Sequence, residues 1–133
     1  MAPPARGSRP DRAIAARPAV PTIYKICGTS EWRAAERAGH FGGAAVDIRD
    51  GFIHFSTAAQ VGETAERHFA GAADLVLVAV DAQALDGALT WEVSRGGDLF
   101  PHLYGVLPLA AVRWVKPLPL GPGGRHLFPE LEP

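Results

Sequence analysis

The chain alternates between short apolar stretches and polar connections, and six of the stretches have the period or composition of β-strands. Residues 75–80 are apolar on both faces, which is typical of a central strand. Residues 89–93 alternate instead, so Thr90 and Glu92 lie on the side opposite the apolar positions. The six predicted strands are 22–27, 51–56, 75–80, 89–93, 100–104 and 112–118.

Two segments carry the signals of short helices. Glu31–Ala38 follows Ser30, which can cap its first turn, and Gly39 supplies a stop. The second helix is predicted to begin after Thr57, which opens the capping-box spacing T-x-x-Q, and to continue to about Ala70.

The order of these elements predicts the fold class. Both helices come early and most strands come late, which favours an α+β fold over βαβ winding. Residues 40–50, rich in glycine and polar side chains, are predicted to be an irregular connection. A chain of 133 residues can build one core, so we predict a single α+β domain over residues 22–129.

The two ends of the chain are predicted to lie outside this domain. Residues 1–21 contain five prolines, four arginines and a single acid, and they lack the apolar run that a secretory signal needs. This composition predicts a disordered leader at residues 1–21. Residues 130–133 are predicted to be a short C-terminal tail.

Charge and cysteine content exclude several classes of partner. The net charge is −1, and subtracting the leader leaves 9 basic and 13 acidic residues, which disfavours nucleic acid as a partner. The single cysteine, Cys27, cannot form an internal disulfide and indicates a reducing, cytoplasmic setting. No stretch approaches the about 18 apolar residues of a membrane helix, so no membrane partner is expected. No histidine spacing typical of a metal site is present.

Polar residues cluster where the second predicted strand meets the second helix. His54 and Ser56 are two residues apart in a strand and therefore share a face. Thr57 then opens a helix whose N-terminus carries free N–H groups and partial positive charge, which suits a phosphate or pyrophosphate. The alternative is a capping Ser/Thr pair beside a buried, hydrogen-bonded histidine.

Two later strands carry the remaining candidates. Glu92 can serve as a base or stabilise a developing cation on a sugar, and Arg95 in a glycine-flanked turn can pair with a phosphate or carboxylate. His102 and Tyr104 share a face, and the tyrosine offers a flat surface and a hydroxyl to a bound ring. The alternatives are a solvated strand residue with a surface turn, and an aromatic edge of the core.

Several strings, in order, resemble those of the bacterial domain-of-unknown-function family 952. The resemblance covers about residues 22–129. The strings are I-Y-K-I at 23–26, D-G-F-I-H-F-S-T at 50–57, A-E-R-H-F-A at 65–70, L-V-L-V-A-V-D at 75–81, W-E-V-S-R-G-G at 91–97 and F-P-H-L-Y-G at 100–105.

This resemblance implies a fold similar to that of ADP-ribosyltransferases and tRNA 2′-phosphotransferases. The implied architecture is a split, mixed or antiparallel sheet with two short helices that binds NAD-like ligands in a central cleft. It makes Glu92 and His54 the candidate catalytic residues. The first strand of that superfamily usually carries a His or Arg, whereas this chain has Tyr24 and Lys25 there.

Three hypotheses follow for the function. The first is an enzyme, or degenerate enzyme, acting on NAD or a related ADP-ribose ligand, with Glu92 at the reacting ribose. The second is a two-histidine phosphoesterase that uses His54 and His102 as general acid and base. The third is a non-catalytic module that binds a nucleotide or small anion. In the first, the cleft is lined by His54, Ser56, Arg95, His102 and Tyr104, and Thr57 at the helix N-terminus is a further candidate for ligand binding.

Overall fold

The computed structural model describes residues 20–85 and 87–133. Residues 1–19 of the predicted leader therefore lie outside the described residues. Its last two residues contact the fold: Val20 packs against the core, and the carbonyl of Pro21 accepts a hydrogen bond from the backbone N–H of Ala82. The strands are β1 (Thr22–Gly28), β2 (His40–Phe41), β3 (Ile53–His54), β4 (Leu75–Asp81), β5 (Leu89–Val93), β6 (Leu99–Leu103), β7 (Leu107–Pro108) and β8 (Val112–Leu118).

Two three-stranded sheets make the framework of the fold. One has the order β1-β4-β8 and the other β3-β6-β5, while β2 and β7 form a separate short pair. The two larger sheets are joined where the backbones of Tyr24 and Ser56 exchange hydrogen bonds of 2.8 and 2.9 Å. Every strand pair of the described residues is antiparallel, so the α+β class is confirmed and the sheet has no parallel component there.

The α-helices are α1 (Thr29–Ala38), α2 (Ala45–Asp50) and α3 (Ala58–His68). In α1 the carboxylate of Glu31 accepts the Gly28 N–H at 2.8 Å, so the cap is Gly28 and not the predicted Ser30. The predicted capping box of α3 is present, although this helix ends at His68, before the predicted Ala70.

The prediction that residues 40–50 form an irregular connection was wrong. This segment contains β2 and the short helix α2, so the described residues hold three α-helices where two were predicted. Helix α2 has one buried residue, Asp47, and the apolar Ile48 on it is 71% exposed. It therefore shows no apolar stripe of helical period, which is the signal on which sequence reasoning depends.

The core is divided between the two faces of the β1-β4-β8 sheet. One cluster includes Ile23, Cys27 and Val78 and extends to the apolar side of the β3-β6-β5 sheet. The other includes Tyr24 and Leu77 and lies under α3 and the C-terminal segment. Strand β4 is buried along both faces, as its composition predicts. Burial raises the pKa of the Cys27 thiol to about 12, which makes it an inert core group.

The predicted C-terminal tail is fastened to β1. The Tyr24 hydroxyl donates to the Glu132 carbonyl at 2.8 Å and accepts from the Glu132 N–H at the same distance. Leu131 packs against the cluster under α3. The side chain of Tyr24 is 1% exposed, so both hydrogen bonds begin in the interior.

The Tyr24→Phe variant is expected to lose about 1–2 kcal/mol in the free energy of unfolding, because two backbone groups of Glu132 lose their partner. Urea unfolding followed by tryptophan fluorescence measures the loss. Tyr104→Phe is the matched control, because Tyr104 is 47% exposed, and it should change stability by less than about 0.5 kcal/mol. Equal stability of both variants would show that the two hydrogen bonds between Tyr24 and Glu132 contribute nothing to the stability of the fold.

None of the helices within residues 20–85 and 87–133 has the length and apolar character needed to cross a membrane.

Candidate functional site

The pairing of β3, β6 and β5 brings polar side chains onto one face of their sheet. His54 lies opposite His102, and His102 lies opposite Thr90. Two pairs further along, Glu92 lies opposite Phe100. Directly opposed residues on antiparallel strands point to the same side, so these side chains share a surface. We call this surface the polar face; the other side of the sheet packs into the core through Ile53, Phe55, Leu89 and Leu103.

Glu92 organises one end of the polar face. Its Oε1 atom accepts a hydrogen bond from Nδ1 of His102 at 2.7 Å and another from the Tyr104 hydroxyl at 2.8 Å. These two bonds lower the pKa of the Glu92 carboxyl, which is therefore ionised at neutral pH. The same bond from the hydroxyl raises the pKa of Tyr104. Among the described residues, the Oε2 atom of Glu92 has no hydrogen-bond partner and remains open to a ligand.

Asp47 organises the interior behind the polar face. Its carboxylate lies 2.8 and 2.9 Å from the Lys25 ammonium, and both side chains are almost fully buried. It also accepts hydrogen bonds from the His54 ring at 2.6 Å, from the His54 backbone at 3.1 Å and from the Ala44 N–H at 2.8 Å. One carboxylate on α2 thus connects β1, β3 and the start of its own helix.

His54 lies between two carboxylates. Its Nδ1 donates to Asp47, and its Nε2 lies 3.0 Å from Oδ2 of Asp50. Asp50 in turn pairs with Arg49 at 2.7 Å. The His54 ring is therefore held on both sides by groups from α2.

Phe52 forms an aromatic shelf with the two histidines. Its ring stacks on His102 with centroids 4.1 Å apart and lies 4.6 Å from the ring of His54. Tyr104 extends the shelf at 5.3 Å, and the two imidazole centroids are 5.6 Å apart. The shelf offers a flat surface on which a planar ring can stack.

Arg95 lies against the ring of Phe100, which precedes His102 by two residues in β6. Its guanidinium carbon lies 4.7 Å from the centre of the Phe100 ring, and its Nη2 atom donates to the Thr64 hydroxyl at 3.4 Å. The Thr64 hydroxyl also meets Ser56 Oγ at 2.9 Å. The ion pair of Arg95 with Glu63 is loose, at 3.6 Å. Arg95 can therefore turn to an anionic group while the hydroxyls remain beside it.

Thr57 has a structural role at the start of α3. Its N–H donates to the Gln60 side chain at 3.0 Å, and it is 9% exposed. The side-chain amide of Gln60 donates a hydrogen bond to the Leu99 carbonyl at 2.8 Å, which connects α3 to β6. Thr57 is thus engaged in the capping box of α3, and among the described residues it makes no hydrogen bond to a side chain of the polar face.

The structure brings together four of the seven predicted site residues through direct contacts on the polar face. They are His54, Glu92, His102 and Tyr104. Arg95 and Ser56 form a second group at its margin, connected by Thr64, whereas Thr57 caps the helix. Within the described part of the chain, no three His, Cys, Asp or Glu side chains are arranged to hold a metal ion.

Sequence reasoning missed Asp47, Asp50 and Phe52 as neighbours of the site. The short string V-D-I-R-D at residues 46–50 gave no helical period, and Asp47 has no unusual neighbour in sequence. Phe52 lies within the predicted strand 51–56, and no role is predicted for it there. One signal was available, because a lysine in the β-rich first strand at Lys25 needs a buried carboxylate partner.

Comparisons with known proteins give a family for the chain and similar solved structures. The profile of the family described as "Protein of unknown function (DUF952)" matches residues 26–115. The crystal structure of protein CC0527 from Caulobacter crescentus is 48% identical, with 80% of this chain and 93% of that chain covered and a TM-score of 0.78. A solution NMR structure of CC0527 is 49% identical over 78% of this chain and 90% of that chain, with a TM-score of 0.71. No curated protein matches the chain. The chain belongs to the DUF952 family.

Proposed function

We propose that the polar face binds NAD or a related ADP-ribose nucleotide and cleaves the bond between C1′ of the ribose and the nicotinamide nitrogen. One arrangement carries the proposal: the ionised Glu92 is the cross-strand partner of Phe100, and the guanidinium of Arg95 lies 4.7 Å from the centre of the Phe100 ring. The carboxylate suits a cationic ring or ribose. The guanidinium suits the pyrophosphate of the same ligand.

The chemistry follows from where charge develops. The C1′–N bond breaks, and its electron pair leaves with the nicotinamide nitrogen, which becomes neutral. The ribose gains positive charge, and the unpaired Oε2 of Glu92 is the fixed negative group that stabilises it. A preorganised charged or polar group of this kind is worth about 3 kcal/mol in the transition state. Water or another acceptor then adds to C1′ and loses a proton.

The aromatic shelf supports a ligand with a flat base. Phe52, His102 and Tyr104 present stacked or tilted rings next to Glu92. A pyridinium or adenine ring can lie against this surface, and a cationic ring gains from the adjacent carboxylate.

A two-histidine phosphoesterase is the second candidate, and one observation favours it. His54 and His102 are direct cross-strand partners, each with Nδ1 against a carboxylate. Such imidazoles can share general acid and base work on a phosphodiester. However, the ionised Glu92 carboxylate lies beside His102, and its negative charge repels a phosphate and attracts a cationic ribose.

Calorimetric titration with NAD, ADP-ribose and nicotinamide tests the binding part of the proposal. We expect heat with NAD and ADP-ribose, because both carry the pyrophosphate that Arg95 can bind. The absence of heat with all three ligands contradicts the proposal. Hydrolysis of a 2′,3′-cyclic nucleotide with no release of nicotinamide from NAD would select the phosphoesterase instead. Binding of NAD without any chemical change would leave a non-catalytic module.

The Arg95→Leu variant is expected to bind NAD and ADP-ribose about 10- to 100-fold more weakly, since one charge-assisted contact is worth about 1.5–3 kcal/mol. Its affinity for nicotinamide should not change. Arg125→Leu is the matched control, because that guanidinium pairs with Glu66 on an exposed surface and has no contact with the polar face. Equal affinities of the two variants for NAD would remove Arg95 from the site.

A further inference from the structure

His54 and His102, the two histidines of the polar face, differ in whether the Nε2 atom of the ring lies against a carboxylate. Both use Nδ1 to donate to a carboxylate, Asp47 for His54 and Glu92 for His102. The Nε2 of His54 is then covered by Asp50 at 3.0 Å. Within residues 20–85 and 87–133, the Nε2 of His102 has no such partner.

The Nε2 atom of His102 is unpaired among the described residues, although the side chain is mostly covered. A neutral imidazole whose proton is fixed at Nδ1 carries a lone pair at Nε2.

We infer that the two histidines have different roles: His102 accepts the proton of the attacking water or acceptor at Nε2, and His54 is a positioning residue. This inference rests on the proposed function. As the water oxygen bonds to C1′ and the C1′–N bond breaks, one proton of the water passes to His102 Nε2, and nicotinamide leaves with the bonding pair. Protonated His102 remains hydrogen-bonded to ionised Glu92, and it later returns the proton to solvent.

The carboxylates that hold His54 are different from the one that holds His102. The Asp47 carboxylate pairs with the Lys25 ammonium as well as with the His54 ring, and the Asp50 carboxylate pairs with Arg49. No ring nitrogen of His54 is therefore free for a ligand unless a carboxylate moves away. Its ring packs edge-on to His102 and against Phe52, so it fixes the orientation of the shelf.

Carbethoxylation with diethyl pyrocarbonate, read by peptide mass spectrometry on the full chain, separates the two roles. This reagent attacks an unprotonated, unengaged imidazole nitrogen. Exposure alone predicts that His54 reacts first, because its side chain is 33% exposed and that of His102 only 8%. Our assignment predicts the reverse order, with the exposed His68 as internal reference. Faster labelling of His54 than of His102 overturns the assignment.

Long-range ¹H–¹⁵N spectra of the imidazoles supply a readout that does not depend on turnover. We expect a proton at Nδ1 and a lone pair at Nε2 for His102, and for His54 an Nε2 shift displaced by the Asp50 carboxylate 3.0 Å away. Single His→Gln variants at each position assign the signals. A proton at Nε2 of His102 overturns the inference even if NAD is cleaved.

Nicotinamide release from NAD tests the catalytic part. His102→Gln should slow release by about 100-fold or more, and His54→Gln should slow it less, while His68→Gln matches the unaltered protein. Release by the unaltered protein with equal losses in the first two variants overturns the assignment of roles and leaves the proposed function intact. No release by the unaltered protein overturns the proposed function and the proton transfer together, while the labelling order still reports which nitrogen is free.

Discussion

Replacing Asp47 by alanine is expected to lower the free energy of unfolding by about 3–5 kcal/mol. The substitution leaves the Lys25 ammonium, which is 4% exposed, without its partner in the interior. It also removes the acceptor of three hydrogen bonds, from the His54 ring, the His54 backbone and the Ala44 N–H. Removing one member of a buried pair costs far more than the pair contributes, because the remaining charge is uncompensated.

Urea unfolding of matched variants measures this loss. Asp50→Ala is the control, because Asp50 has a 30% exposed side chain and its variant should lose less than about 1 kcal/mol. The double variant Lys25→Met with Asp47→Leu should recover much of the stability, since no charge is then buried. Similar losses for Asp47→Ala and Asp50→Ala would show that the buried pair does not hold the fold.

The same carboxylate predicts acid sensitivity. Burial alone would raise the pKa of Asp47, but the hydrogen bond from His54 and the charge of Lys25 outweigh it and lower the pKa to about 2. A depressed pKa stabilises the fold above the unfolded value near 3.8, and this stability is lost as the pH falls toward 2. Almost two pKa units correspond to about 2 kcal/mol. Urea midpoints between pH 5 and 2 should fall for the natural chain, and less for the double variant.

Replacing Glu92 by glutamine is expected to lower the rate of nicotinamide release by about 100- to 1,000-fold. The amide oxygen can still accept from His102 and Tyr104, so the side chain should stay in place. The negative charge that stabilises the ribose cation is lost. Because that charge acts mainly in the transition state, kcat should fall and KM should change little.

Initial rates of NAD cleavage in the natural chain and the variant provide the measurement. Glu66→Gln is the matched control, because Glu66 lies on the exposed side of α3 and pairs with Arg125. The control should retain the natural rate. A Glu92→Gln variant that is as active as this control would exclude Glu92 from the chemistry. A rise in KM at constant kcat would assign it to binding instead.

The helices and strands that carry a clear hydrophobic period or a capping motif can be predicted from the sequence alone. The apolar run of β4 predicts a strand buried on both faces, and the T-x-x-Q spacing at Thr57 predicts the start of α3. The alternation of β5 placed Glu92 on the side away from the apolar positions, which became the polar face. These features follow from hydrophobic period and capping, which operate over a few residues.

The contacts between polar groups that are distant in sequence depend on the tertiary structure. Lys25 and Asp47 are 22 residues apart in the chain, and their contact exists because α2 packs beside β1 and β3. The pairing of β3 with β6 puts His54 opposite His102, and Thr57, which a sequence argument assigns to a ligand, is engaged with Gln60 in the capping box of α3. Helix α2 itself has no apolar stripe, so it is held through the hydrogen bonds and ion pair of one buried carboxylate. Such contacts depend on strand register and on desolvation in the folded interior, and neither has a local period that a sequence can display.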